Sequence, residues 1–578
     1  MVLVVLVTGG LFMAYFLKKT TLKGRTYLAI YESFYSHEKK GTAHRSIKPL
    51  GSVETLKANG IDDPIAYGQE QVDLMNAERK HEKARKISDV SPMKYLGYFP
   101  LKSIMEALDV RRYVNLFGLV TDFRFDLFQM LSSLIYARAV HPCSKHRTFH
   151  EVLPSLYEKV NYSYDQLLEG VGFMGENYEK FVELFTVQVS KKYGIDTSAS
   201  YFDCTNFYFE IDREDDFRRK GPSKENRNEP IIGLGLLLDA NQIPVGMRMF
   251  PGNQSEQPVM RAVIDDLKTK GNITGKTVHV ADKGLNCADN IAFSILNGDG
   301  YLFSRSIKTL GQDEKEWAIK EDKDNVWHDV KKSDGTLHYR YKSIVDEYDY
   351  NVTDKNGKKK KVTLKEKRLV TYNPVLAKKH QREINKLVSK AEAFRLSDAK
   401  RSQYGDCAKY VDFETADPDG KAKKAKVVIN QEKIASDRRL AGYNMLVTSE
   451  IDFEERKMYD IYHNLWMIEE SFKIMKSDLD ARPAYLQKEH TIKGHFLICY
   501  LTVLLERIFQ FKILRDRYSA SEICEFFRNY RIVEAERCHI NISRAIPIID
   551  YLTEYTELPL DNYFLNTNQI KKVLNYRF

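Results

Sequence analysis

The amino-acid sequence predicts an α/β fold: a strand-rich core, interrupted by a β-rich insertion and preceded by a mostly helical region. Three observations indicate this arrangement. Strand-like runs and a short helix follow one another over residues 198–307, short polar strands with turn signals occupy 308–440, and apolar residues at helical spacing dominate 101–195. At 578 residues the chain is too long for one hydrophobic core, so we expect several domains.

The chain begins with a membrane-like run, MVLVVLVTGGLFMAYF, at residues 1–16. This run is shorter than the about 20 apolar residues of a spanning helix, and it lacks the basic start and cleavage site of a secretory signal. From Met13 the sequence reads as two strand-like runs around a polar turn. We therefore interpret residues 1–12 as a mis-called extension and expect no membrane partner. The alternative is a membrane-anchored interaction protein.

Changes in the spacing of apolar residues along the chain mark the boundaries of the remaining segments. We expect a small β-hairpin and helical unit at 13–90, a helical region at 91–195, and a first part of the core at 196–307. A β-rich insertion domain at 308–440 then separates this part from a second part of the core at 441–515. A tail of mixed character occupies 516–578.

Composition limits the class of protein. The 89 Lys and Arg residues against 80 Asp and Glu residues favour an acidic polymer as partner, although weakly. Seven scattered cysteines without a Cys-x-x-Cys pair argue against a zinc ribbon or finger and indicate a reducing, cytoplasmic environment. After His141-Pro142, a helix is expected to start near Ser144. Lys145 and Arg147 could bind phosphates there, or the segment could be an ordinary helix cap.

Three carboxylates stand at unusual positions. Asp203 lies inside the hydrophobic strand YFDCTNFYF, Asp282 ends the strand VHVAD just before Lys283, and Glu469 lies on a helix predicted over 454–478. Such a carboxylate is costly to bury unless it is paired, protonated or bound to metal. Three carboxylates could hold two Mg²⁺ or Mn²⁺ ions for phosphodiester chemistry. With 80 acidic residues in the chain, a chance arrangement is the alternative.

The predicted helix around Glu469 has one polar face. At about 100° per residue, four side chains project within an arc of about 60°: Tyr462, Leu465, Glu469 and Lys476. The neighbouring apolar residues are expected to be buried: Trp466, Ile468 and Phe472. The polar face is either an active-site face or a solvent-exposed one.

These residues carry a resemblance to a known family. The chain resembles the DDE transposases of bacterial insertion sequences, in the insertion sequence 4 superfamily and the branch typified by insertion sequence 1634. Members of the superfamily carry Tyr, two residues, Arg, three residues, Glu, six residues and Lys. Tyr462, Glu469 and Lys476 match this pattern, whereas Leu465 replaces the Arg.

Further segments match the family in the same order. They are YFDCTNFYFE around Asp203, FPGNQSE at 250–256, VADKGL at 280–285, GYLFSRSI at 300–307 and RPAYLQKEHTIKGHFLICYLTVLL at 482–505. In VADKGL, Lys283 stands where the family usually has Arg. The resemblance runs over most of residues 13–510.

The resemblance implies a ribonuclease-H-like core with Asp203, Asp282 and Glu469 as catalytic residues and ligands of two Mg²⁺ or Mn²⁺ ions. It implies cut-and-paste transposition by a homodimer that binds the terminal inverted repeats and target DNA, in the cytoplasm at the nucleoid. The helices at 91–195 would bind the DNA ends. The expected DNA contacts are Tyr462, Lys476, Lys283, Lys145 and Arg147. The alternative is an inactive or domesticated relative that binds DNA without cutting it.

Overall fold

The computed structural model describes residues 14–36, 41–85, 91–119, 121–225, 228–271, 273, 275–321, 326–353, 357–397, 400–416, 422–482, 484–535 and 538–578. Met13 and the apolar run before it lie outside these residues. The chain divides into two compact units, which meet in sequence between Ser91 and Pro92.

The first unit is an antiparallel sheet with helices. Its elements are β1 (Tyr15–Leu22), β2 (Arg25–Ser36), β3 (Gly41–Ser52), α1 (Val53–Ala58) and α2 (Pro64–Arg85). The turn from β1 to β2 places both Lys23 and Gly24 at positive φ, as expected for a two-residue hairpin. Glu32 on β2 is buried, and its charge is balanced by Arg45 and Arg79 at 2.7 and 2.8 Å.

The second unit begins with a mostly helical region. Its elements are β4 (Met93–Tyr95), α3 (Phe99–Ala107), α4 (Arg111–Gly118), α5 (Leu127–Val140), α6 (Lys145–Arg147), α7 (Tyr164–Glu176) and α8 (Tyr178–Tyr193). The side chain of Asp126 caps α5, which ends before His141 as its sequence predicts. Since α5 is buried on nearly every side, this region is part of the main hydrophobic core.

The central sheet and its helices follow. The elements up to residue 305 are β5 (Ala199–Tyr208), β6 (Ile231–Asp239), β7 (Pro244–Pro251), α9 (Glu256–Thr269), β8 (Val278–Ala281), α10 (Ala288–Leu296) and β9 (Gly300–Arg305). Strands β5, β6 and β7 are antiparallel neighbours, and β8 and β9 add to β5 in parallel. The predicted α/β class is confirmed by this mixed sheet.

Residues 306–448 extend the same sheet. They form α11 (Gln312–Ile319), β10 (His328–Lys331), β11 (Leu337–Thr353), β12 (Lys359–Tyr372), α12 (Pro374–Leu396), β13 (Val411–Ala416), β14 (Ala422–Ile429), α13 (Gln431–Arg439) and β15 (Tyr443–Thr448). The order of the nine-stranded sheet is β10-β11-β12-β15-β9-β8-β5-β6-β7. Three strands of the expected insertion therefore continue the core sheet through β15, and β13 and β14 form a separate ribbon.

The rest of the chain is mostly helical. It contains α14 (Glu455–His463), α15 (Trp466–Lys473), α16 (Glu489–Ile508), α17 (Ala520–Asn529), β16 (Arg531–Glu534), β17 (His539–Asn541), α18 (Pro547–Thr556), β18 (Phe564–Leu565) and α19 (Thr567–Leu574). Short 3₁₀ or π-helical turns cover Thr148–Val152, Leu153–Ser155, Ile307–Thr309, Arg401–Gln403, Gly405–Tyr410, Ile474–Asp478 and Phe509–Ile513. In the tail, β16 pairs with β4, which joins the two ends of the second unit.

The central sheet separates two hydrophobic clusters. One face packs against α15, α16 and the helical region, and the other packs against α9 and α10. Helix α16 is buried over most of its length. Within the described residues, no helix combines the length and the apolar character needed to cross a membrane.

Candidate active site

Asp203 and Asp282 are brought side by side by strand register. In the parallel pair β5 and β8, Phe202 lies opposite Ala281, so the next residues along the two strands are the two aspartates. Side chains alternate along β5. Phe202 and Cys204 enter the cluster beneath α9, and Asp203 points to the opposite face, which α15 covers.

Asp203 is paired with a lysine from the loop between β5 and β6. The Nζ atom of Lys224 lies 3.3 Å from Oδ1 of Asp203 and also donates to the carbonyl oxygen of Cys204. Burial raises the pKa of Asp203, and the Lys224 charge opposes this shift. A cation thus already stabilises the ionised form of this carboxylate.

Asp282 is held by two hydroxyl groups. Ser304 Oγ on β9 donates to its Oδ1 atom across 2.8 Å, and the Tyr462 hydroxyl donates to the same atom across 3.0 Å. Burial and the charge of Asp282 raise the pKa of Tyr462, so the phenol stays protonated and remains a donor. These contacts orient Asp282 and leave its second oxygen for another partner.

Glu469 belongs to the same electrostatic site. It lies on α15, which packs against β5. Partial burial raises the pKa of Glu469, and the negative charges of Asp203 and Asp282 raise it further. The structure therefore places Glu469 within electrostatic reach of Asp203 and Asp282, although the three residues are far apart in sequence.

The polar helical face does not lie on one continuous helix. Helix α14 ends at His463, α15 begins at Trp466, and Lys476 lies in the following π-helical turn. Leu465 is buried at the break. The expectation that Trp466 is buried is wrong, since 51% of its surface is exposed, whereas Ile468 and Phe472 are buried as expected.

Lys476 contacts a carboxylate that sequence reasoning missed. Its Nζ atom lies 3.2 Å from Oε1 of Glu225, and Arg482 donates to the same oxygen. Glu225 directly follows Lys224, but no local sequence signal distinguishes the polar stretch PSKEN that contains them. Contacts between residues 225 and 482 arise from the tertiary fold.

The predicted phosphate contact at Lys145 needs correction. Lys145 is buried, and its Nζ atom lies 3.2 Å from Nδ1 of His495 on α16. Burial lowers its pKa to about 7. Its ammonium group is therefore not available on the surface. Arg147, in contrast, is exposed and forms an ion pair with Glu151 one helical turn away at 2.8 Å.

A cleft with several cationic side chains adjoins Asp282. Lys283 is exposed at its edge, and Tyr462 lines it. The cations in its lining are Lys283, Arg305, Lys308 and Lys409, and His380 also lines it, with a pKa lowered by burial. Acidic side chains are present as well, and Lys308 pairs with Asp437 at 2.9 Å. The cleft joins the aspartate site to α12.

A fourth acid borders the site. Glu256, the first residue of α9, lies 3.9 Å from the Lys224 ammonium through its Oε1 atom. Among the residues that the structure describes, however, no group of three or more histidine, cysteine, aspartate or glutamate side chains is arranged to hold a metal ion as it stands. Lys224, Ser304 and Tyr462 engage oxygen atoms of the two aspartates instead.

Comparisons with known proteins locate this site within a recognised family. Residues 202–505 match the family described as transposase DDE domain. Among solved structures, one similar chain is the piggyBac transposase in a cryo-EM structure of its synaptic complex with hairpin DNA. It is 11% identical, with 77% of this chain and 80% of that chain covered, and its TM-score of 0.36 is too low to support a conclusion. No curated protein matches the chain.

Proposed function

This chain belongs to the family of transposases with a DDE domain, and we propose that it cuts DNA at the ends of a mobile element and joins those ends to target DNA. The observation that carries this proposal is the shared site of Asp203, Asp282 and Glu469. All three lie within the matched residues 202–505. Besides burial, the charge of Asp282 raises the pKa of Asp203, and the charges of both aspartates raise the pKa of Glu469. A bound cation would relieve this repulsion.

We propose that the core has a ribonuclease-H-like fold. Support comes from three antiparallel strands, β5, β6 and β7, followed by two strands that add in parallel beside β5. Asp203 lies on the first strand of this group, and Asp282 directly follows the fourth. Both are the positions that the family resemblance predicts for catalytic aspartates.

The donor set fits Mg²⁺ or Mn²⁺. Carboxylate oxygens are the ligands that these hard cations prefer. The Lys224 ammonium beside Asp203 shows that a positive charge is accepted at this place. We propose that Asp203, Asp282 and Glu469 hold two such ions. When bound, the ions would supply an activated oxygen nucleophile and stabilise the leaving oxygen of a phosphodiester.

The chain's own residues position these groups. Ser304 and Tyr462 fix Asp282 Oδ1, which directs the other oxygen toward the site. The hydrophobic strand under Asp203 limits its movement, because Phe202 and Cys204 on either side are fully buried. The exposed cations Lys283 and Arg147 are available for phosphates of bound DNA.

We propose a finer assignment within this family. Tyr462, Glu469 and Lys476 support membership of the insertion sequence 4 superfamily, in the insertion sequence 1634-like branch. Leu465 departs from it, and its burial leaves no cation at that position. We further propose that a homodimer pairs two terminal inverted repeats in a cut-and-paste reaction at the nucleoid.

The rival function is a catalytically inactive relative that binds DNA. The intact carboxylate site favours an enzyme, because the negative charges of Asp203 and Asp282 near Glu469 cost stability in a protein that never binds a metal ion there. Such a site has no evident use in a protein that only binds DNA.

A nicking assay tests the proposed function. The purified full chain is incubated with Mg²⁺ or Mn²⁺ and a supercoiled plasmid carrying the DNA that flanks its gene, and nicked product is quantified on a gel. Asp203→Asn, Asp282→Asn and Glu469→Gln should each reduce nicking by about a thousandfold, the scale expected for lost metal ligands. Asp216→Asn, an exposed acid in the β5–β6 loop, is the matched control. Equal nicking by wild type and Asp203→Asn would refute the assignment.

A further inference from the structure

We propose that Lys476 and Arg482 form a subsite for a phosphate of the DNA strand, and that Glu225 occupies this subsite in the free protein. The inference rests on the proposed function and deepens it. Arg482 and Glu225 are the new elements, because neither belongs to the sequence pattern that singled out Lys476.

The contacts define a small anion site. Lys476 and Arg482 both contact Oε1 of Glu225. Their side chains are 12% and 25% exposed, so both cations are largely withdrawn from water. Each cation lies near an aromatic ring, with Lys476 at 5.4 Å from the Phe207 centroid and Arg482 at 5.9 Å from the Tyr208 centroid. A partly desolvated lysine and arginine need an anion, and Glu225 provides one.

Lys224 and Glu225 together place charges where a metal ion and a DNA phosphate are proposed to bind. Lys224 places a positive charge against Asp203, and Glu225 places a negative charge against Lys476 and Arg482. Lys224 thus lies against a proposed metal ligand, and the adjacent Glu225 lies in the proposed phosphate subsite. The positive charge of Lys224 corresponds to the metal ion, and the negative charge of Glu225 corresponds to the DNA phosphate.

The position of the subsite agrees with a DNA strand crossing the active site. Phe207 and Asp203 point to the same face of β5, because they are four positions apart and side chains alternate along a strand. Four residues of a strand span about 13 Å, which corresponds to about four nucleotides of duplex DNA. One strand can therefore contact Lys476 and reach the carboxylates.

On this proposal, Arg482 takes the role of the arginine that the family pattern has at position 465. The family pattern expects an arginine there, but Leu465 is buried at the break between α14 and α15. Arg482 supplies a second cation beside Lys476 from a different segment. A guanidinium group suits this role, because its planar array of donors matches the oxygens of a phosphate.

The loop that carries Glu225 is tied to β5. Asn206 Oδ1 accepts from the backbone nitrogen of Lys224 at 2.9 Å, and Asn206 Nδ2 donates to the Pro222 carbonyl at 3.3 Å. These contacts hold Glu225 at the subsite in the absence of DNA. A DNA phosphate must therefore displace the Glu225 carboxylate, so the two anions compete.

Because Glu225 and a DNA phosphate compete, removing the Glu225 charge and removing the Arg482 charge should change the DNA affinity in opposite directions. Affinity of the full chain for a fluorescein-labelled duplex of the gene-flanking DNA is measured by anisotropy in EDTA, over a series of salt concentrations. Glu225→Gln should bind about threefold or more tightly. Arg482→Gln should bind about tenfold more weakly, with the log–log salt slope reduced by about one, as for one lost phosphate contact. Arg482→Lys should recover part of the loss.

Matched variants separate this effect from a change in net charge. Asp216→Asn and Arg219→Gln alter an exposed ion pair of the same loop, 3.1 Å between its charged atoms, and should leave the affinity close to wild type. Thermal unfolding of each variant checks that it is folded. Any pattern other than tighter binding by Glu225→Gln and weaker binding by Arg482→Gln, relative to these controls, overturns the inference. Failure of the proposed function would instead appear as wild-type protein that does not nick DNA with metal.

Discussion

The hydroxyl group of Tyr462 donates a hydrogen bond to Oδ1 of Asp282 across 3.0 Å. The bond links the end of α14 to the end of β8, and the whole β-rich segment at 308–440 lies between these two elements in sequence. It fixes one oxygen of a carboxylate that is proposed to bind metal. Substitutions of Tyr462 and of the residues around Asp282 should therefore have measurable effects.

Removing the Tyr462 hydroxyl should slow the reaction without unfolding the protein. A hydrogen bond to a charged group contributes about 1.5–3 kcal/mol, so Tyr462→Phe should lower the nicking rate by about tenfold to a hundredfold. Tyr518→Phe is the control, because it removes a hydroxyl that donates to the Pro547 carbonyl at 3.0 Å, outside the site. A Tyr462→Phe rate equal to that of Tyr518→Phe would show that this contact has no role in the reaction.

Lys224 should compete with divalent metal for Asp203. Lys224→Met removes the ammonium group 3.3 Å from Asp203 and should tighten Mn²⁺ binding by about threefold to tenfold in isothermal titration calorimetry. Lys276→Met is the matched control, because Lys276 pairs with Glu450 at 2.7 Å elsewhere. Weaker Mn²⁺ binding by Lys224→Met would indicate that the lysine supports the metal site instead.

Glu469 should destabilise the metal-free protein at neutral pH. Its pKa is raised in the folded state by partial burial and by Asp203 and Asp282, so the folded protein binds the proton more tightly than the unfolded chain. Stability is therefore lost as pH rises from the usual carboxyl range through the raised pKa. In EDTA, Glu469→Gln should raise the thermal midpoint at neutral pH, and this gain should shrink as the pH falls below the usual carboxyl range.

Glu470, the acidic residue next to Glu469, should have the opposite effect on stability. Glu470 lies 2.9 Å from Arg507, whose side chain is fully buried. Glu470→Gln should lower the thermal midpoint, because it leaves a buried guanidinium without its carboxylate partner. A lower midpoint for Glu469→Gln as well would contradict the sign predicted from the active-site repulsion.

Lys145 should show the pH dependence of a buried lysine. Its pKa falls to about 7 on folding, so the unfolded chain binds more protons between about pH 7 and the usual lysine value. Stability should rise with pH through that window. Lys145→Met should remove this dependence and stabilise the protein near neutral pH by an amount on the order of a few kcal/mol. Denaturant unfolding at about pH 7 and about pH 10 measures both effects.

Lys145→Met also tests whether Lys145, on α6, contacts a DNA phosphate. Because Lys145 is buried, Lys145→Met should retain the DNA affinity of the wild type. The exposed Arg147 is the matched comparison, and Arg147→Gln should weaken binding if it contacts a phosphate as proposed. Loss of DNA affinity in a folded Lys145→Met protein would restore the original expectation for this residue.

Local sequence determined the strands and the candidate aspartates of this protein. Apolar runs bounded by turn residues define β5 to β9, because backbone geometry and burial act over a few residues. A carboxylate inside or directly after such a run is costly without a partner, which is why Asp203 and Asp282 could be singled out. Glu469 was singled out by the polar helical face that it shares with Tyr462 and Lys476, and the ordered family motifs then supported all three carboxylates.

Tertiary structure decided the partners of these residues. The break between α14 and α15, the exposure of Trp466 and the burial of Lys145 depend on packing against distant segments, which helical periodicity does not encode. Lys224 and Glu225 lie in an ordinary polar stretch, and only the fold places them against Asp203 and against Lys476 and Arg482. The physical reason is that ion pairing depends on distance in space, and residues far apart in sequence come within that distance only when the sheet and its helices have assembled.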